Sequence, residues 1–98
     1  MREKRKLSVQ NLTGRELVAW NVRRLRVERD LSAEALANQS GVDRVYLSRI
    51  ERALANATID ILERLASVLG VEIAQFFAVP SRSDRPPEPL PGGRRSRQ

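Results

Sequence analysis

Arg44, Arg49 and Arg52 fall within one short stretch of chain, interleaved with Val45, Tyr46 and Ser48. A guanidinium can reach guanine O6 and N7 with two parallel hydrogen bonds. Valine can pack on a thymine methyl, and serine and tyrosine hydroxyls bond phosphate or base edges. This is chemistry of recognition rather than of bond-making. On a helical wheel of about 100° per residue, Leu47, Ile50 and Glu51 point to one side. Val45, Ser48, Arg49 and Arg52 point to the other, with Arg44 and Tyr46 flanking that outer face in the first turn. Three arginines on a lone helix ordinarily make a solvated face. A capped short helix and a glycine turn just before them change the reading to a helix-turn-helix, which places its second helix in the DNA major groove.

The elements that must position this face are legible from caps and apolar spacing. Helix 1 is expected over 14–29: Thr13 and Glu16 form a capping box, and Val18, Val22 and Leu25 recur on one face. Ser32 caps helix 2, Glu34 sits in its first turn, Leu36 and Ala37 face inward, and Gly41 ends it. Asp43 caps helix 3, with Val42 and Leu47 as a hydrophobic staple. Thr58 and Gly70 bound helix 4, whose apolar face is Ile59, Leu62, Leu65, Ala66 and Leu69. A fifth helix is expected over 72–78. The fold class is therefore all-α, a compact five-helix domain with the helix-turn-helix in helices 2 and 3. A flexible basic arm over 1–12 precedes the domain at 13–79, and a disordered tail rich in proline, glycine and arginine follows over 80–98.

Composition removes other function classes. The 98 residues contain neither Cys nor His, which excludes thiol and imidazole catalysis and the usual zinc ligands. No acidic pair sits in a catalytic motif, so neither an enzyme, a cofactor nor a metal site is expected. No apolar run reaches the roughly 18–20 residues of a membrane span, and no small-molecule ligand is evident. A soluble cytoplasmic protein is expected. The net charge of +6 is unevenly spread: +6 over 1–29, −3 over 30–79 and +3 over 80–98. The locally acidic middle gathers three of its four basic residues on helix 3, unlike a uniform polycation.

With those elements in place, the chain resembles the lambda-repressor/Cro-type, or Xre-like, helix-turn-helix regulators over about residues 18–77. The motifs that carry the likeness are VRRLR, LSAEALA, SGVDRVYLSRIE, the helix over 58–70 and VEIAQFF, with Ala37, Gly41, Leu47 and Ile50 at the family's core spacing. DRVYLSRIER is also similar to the recognition region of restriction–modification controller proteins. The resemblance implies binding of double-stranded DNA as a homodimer on paired half-sites, with Arg44, Val45, Tyr46, Ser48 and Arg49 at the base-reading positions. It also implies a structural ion pair. Glu51 lies on the inner side of helix 3, where a lone carboxylate is costly, and the family's partner for it maps onto Arg26.

The departures matter as much. Ala33 stands where the family has a backbone-binding glutamine, leaving the N–H groups near Ser32 to hold a phosphate. Ala53, Leu54, Ala55, Asn56 and Ala57 replace the usual glycine, basic residues and proline. Asn56 is then the expected left-handed residue, and phosphate contacts are expected from Ser32, Arg52 and Asn56. Glu72 replaces a serine-like cap, which weakens the start of helix 5.

Helices 4 and 5 carry more apolar residues than one face needs: Ile61, Val68, Val71, Ile73, Phe76 and Phe77. They are the expected dimer interface, since small homo-oligomers are mostly two-fold. Closure of the monomer core by both phenylalanines is the alternative. A different function class uses the same end: an antitoxin-like module whose helix 4/5 face binds a second protein.

Overall fold

The computed structural model describes residues 11–81. The expectations for the basic arm and the tail fall almost wholly outside that range. Within it the regular elements are helical: α1 (Gly14–Glu28), α2 (Ala33–Ser40), α3 (Arg44–Glu51) and α4 (Ile59–Leu69), followed by a short 3₁₀ helix at Ile73–Phe77. No strand occurs among the described residues.

Each α-helix starts on a side chain that satisfies an orphan backbone donor. Thr13 accepts from the Glu16 N–H while Glu16 accepts from the Thr13 N–H, closing the capping box. Ser32, Asp43 and Thr58 accept from the N–H groups of Ala35, Tyr46 and Ile61. Gly41 (φ 73°) and Gly70 (φ 72°) end α2 and α4 in the left-handed conformation that glycine enters without a Cβ clash.

The fifth element departs from expectation. It is a five-residue 3₁₀ turn, and Glu72 makes no side-chain capping bond. Without a cap to satisfy the first N–H groups, the tighter 3₁₀ bonding closes the turn instead. The left-handed residue after α3 is also not Asn56 but Ala53 (φ 60°). The hydrogen bonds explain why: Leu54 N–H donates to the Arg49 carbonyl at 2.8 Å and Ala53 N–H to that of Ile50 at 3.0 Å. This is a Schellman closure, which requires the left-handed residue directly after the cap residue Arg52. Asn56 comes too late in the chain to serve.

One core joins the helices. Val18, Val22 and Leu25 of α1 meet Leu36 and Ala37 of α2, Leu47 and Ile50 of α3, and Leu62, Leu65, Ala66 and Leu69 of α4. Val42 joins them from the α2–α3 turn. Phe76 is fully buried among them. It closes the monomer and has no surface left for a partner, so it drops out of the expected dimer interface. Ile59 departs the other way: at the first position of α4 it lies 58% exposed.

Asn21 fixes the 3₁₀ segment to α1. Its amide nitrogen lies 3.0 Å from the Leu17 carbonyl, 3.0 Å from that of Phe76 and 2.9 Å from that of Ala78. Its oxygen accepts from Arg24. Arg29 adds a second long-range tie, donating from Nε to the Leu69 carbonyl at the C-terminal end of α4.

Candidate nucleic-acid interface

α2 and α3 pack together across the Gly41 turn, with Val42 and Leu47 buried on either side of the Asp43 cap. The inner side of α3 is held by Leu47 and Ile50 and by one charged contact. Arg26 donates from Nε to Glu51 Oε2 at 2.7 Å and from Nη2 to Oε1 at 2.9 Å. Its Nη1 donates to the Leu31 carbonyl at 2.9 Å. Both side chains are nearly buried, at 8% and 9% exposure. One guanidinium therefore fixes α1, the α1–α2 turn and α3 relative to one another, and its parallel two-bond geometry is the strong form of such a pair.

The outer side of α3 is built differently. Arg44, Arg49 and Arg52 are exposed, and Val45 is 66% exposed. The ion pairs among the described residues join Arg24 and Arg29 to Glu28, and Arg26 to Glu51. None takes an arginine of the outer face, which leaves that charge without an ion-pair partner among the described residues. Ser48 is half-buried beside them.

Tyr46 and Arg49 do not simply project into solvent. The Tyr46 ring packs at the edge of the core, and its hydroxyl donates to the Asn56 carbonyl at 3.0 Å. Arg49 donates from Nη2 to the Leu54 carbonyl at 3.4 Å. The loop after α3 is thus drawn against the outer face of the helix, bringing Tyr46 and Asn56 together. With its hydroxyl hydrogen committed to the loop, Tyr46 has oxygen lone pairs left to offer as an acceptor. Ser32 stands at the α2 N-terminus with its hydroxyl oxygen accepting from Ala35. Arg52 makes no side-chain hydrogen bond among the described residues.

Ile61, Val68, Val71 and Ile73 are half-buried against the core, and Phe77 is 43% exposed. Ile59 and Phe77 line one groove together with Val18, Leu62, Ala55 and Ala57, and Val79, two residues after Phe77, is 59% exposed. The apolar surface at this end therefore includes Ile59 and Val79, which the sequence pattern did not assign to it. Asn21 was also missed. Its place between Val18 and Leu25 on the α1 stripe, a polar residue at a buried position, was the available signal.

Among the described residues there is no cluster of metal-ligating side chains and no helix long and apolar enough to cross a membrane. The helix-turn-helix family HTH_3 matches residues 22–76. A hypothetical transcription factor of Neisseria meningitidis is 39% identical over 66 residues, spanning 67% of this chain and 62% of its own length. The crystal structure of the Neisseria hypothetical transcription factor NHTF superimposes with a TM-score of 0.68 at 34% identity, covering 82% of this chain and 90% of that one. The restriction–modification controller protein C.AhdI of Aeromonas hydrophila gives a TM-score of 0.62 at 33% identity, covering 64% of this chain and 96% of its own.

Proposed function

The chain belongs to the HTH_3 helix-turn-helix family of DNA-binding transcription regulators, and from that premise we propose that it binds a pseudo-palindromic operator as a homodimer with α3 in the major groove. The observation that carries this reading is the outer face of α3, whose arginines enter no ion pair among the described residues. Arg44, Val45 and Arg49 stand exposed there, while the opposite side of the same helix is locked to α1. Arg44, Val45, Tyr46, Ser48 and Arg49 read base edges. Ser32, Arg52 and Asn56 contact phosphates and set the register.

The dimer forms through the α4 and 3₁₀ end, with Ile61, Val68, Val71, Ile73 and Phe77, extended by exposed Ile59 and Val79. Two such reading helices then meet successive half-sites on one side of the duplex. Phe77→Glu places a charge in that contact, and sedimentation is expected to show it as a monomer where the parent is a dimer. A monomeric parent removes the dimer from the proposal and turns the same apolar surface over to a second protein.

Selection of bound duplexes from a random pool tests the operator. A motif with two-fold symmetry and fixed half-site spacing is the expected result. Recovery of unrelated sequences, with binding governed by salt alone, contradicts sequence reading.

A further inference from the structure

A second groove, of about 280 Å³, runs between α1 and the C-terminal end of α3. Leu12, Ala19, Trp20 and Ala53 supply its apolar wall, and Arg23 and Arg52 bring positive charge to it. Two carboxylates also line it, one paired with a cation and one bonded to a helix N-terminus. Glu51 gives its two oxygens to Arg26, and Glu16 accepts from the Thr13 N–H at the N-terminal end of α1, where the helix dipole offsets its charge. Neither Arg23 nor Arg52 enters an ion pair among the described residues. Arg23 Nε is, moreover, shielded from water with no hydrogen-bond acceptor among the described residues, a desolvated donor of the kind native proteins seldom leave unsatisfied.

From this juxtaposition of an aromatic wall, two arginines free of ion pairs and an orphaned guanidinium donor, we infer that the groove binds a small anion with a flat apolar body, such as an aromatic carboxylate or phosphate ester. The ring lies along Trp20 and Ala19. A turn about the last torsions of Arg23 presents its Nε edge to the anionic oxygens, giving the paired geometry guanidinium favours. Arg52 closes the rim. It is also a proposed phosphate contact, so an occupant and bound DNA draw on the same guanidinium. That last point rests on the DNA-binding reading; the site itself does not.

Trp20 is the chain's one tryptophan, so its emission reports on the groove directly. Titration of the full chain without DNA, using benzoate and phenyl phosphate, is expected to change Trp20 emission saturably with at least one of them. Neutral benzyl alcohol is expected to bind about tenfold more weakly, as is the active anion to Arg23→Met, the scale of one lost charge-assisted bond. Should Arg23→Met melt early, Arg23→Lys, which keeps the charge but not the Nε, is read instead and is expected to weaken binding in the same direction. No saturable response to either anion overturns the assignment. So does an equal response to benzyl alcohol, or unchanged affinity in the Arg23 variants. Because no DNA is present, failure here leaves the operator reading standing, and failure of the operator selection leaves this one standing.

Discussion

On its inner side α3 sets Leu47 and Ile50, both almost wholly excluded from water, beside a carboxylate gripped by two guanidinium bonds. A few residues around the same eight-residue helix, Arg44, Val45 and Arg49 are exposed, and neither arginine enters an ion pair among the described residues. The inner side spends every polar group on holding position, and the outer side leaves its charge unmatched. Changes on the inner side should therefore destabilise the domain, and changes on the outer side should leave it folded and alter what it binds.

The largest effect should come from splitting the inner ion pair. Arg26→Ala or Glu51→Ala strands the other charge in a nearly buried site, costing about 3–5 kcal/mol. The double variant should lose less than the two single losses added together. Urea denaturation of all four proteins measures the coupling, and simple additivity would mean that the two charges do not stabilise each other. Next comes Asn21→Leu, which strips the Phe76 and Ala78 carbonyls of their side-chain donor. A loss of about 2–3 kcal/mol is expected, since the buried Phe76 acceptor and the part-buried Ala78 acceptor lose their partner. A neutral result would mean that the 3₁₀ segment holds by Phe76 packing alone.

The smallest effect has the opposite sign. Ala53 occupies a left-handed conformation that costs a non-glycine residue about 1–2 kcal/mol. Ala53→Gly should therefore raise stability by about 1 kcal/mol, less the extra chain entropy of glycine in the unfolded state. Thermal denaturation reads it directly, and a lowered melting temperature would show that the turn is unstrained.

The sequence carried most of the scaffold because caps are local. Thr13, Ser32, Asp43 and Thr58 each bond an N–H within three residues of themselves, so their roles can be read without knowing the fold. What escaped depended on distant partners or on closure geometry. Asn21 finds two acceptors more than fifty residues away. Residue preference points to Asn56 as the left-handed residue, whereas the hydrogen bonds that close α3 require it at Ala53. Phe76 and Phe77 are alike in type, and the turn that buries one and exposes the other is fixed only when the 3₁₀ segment docks on α1. On the outer face of α3 the residue types were legible, but the attachment of Tyr46 and Arg49 to loop carbonyls was not. The loop's backbone path decides that contact.

Arg49→Ala tests the division of labour most directly. Its melting curve and its affinities for a selected duplex and for a random duplex should be compared with those of the parent. Stability should stay within about 0.5 kcal/mol. Affinity for the selected duplex should fall by about 1–3 kcal/mol with base preference relaxed at the position it reads, while the random duplex should lose much less. Equal losses on both duplexes would contradict the account and reduce Arg49 to a phosphate contact.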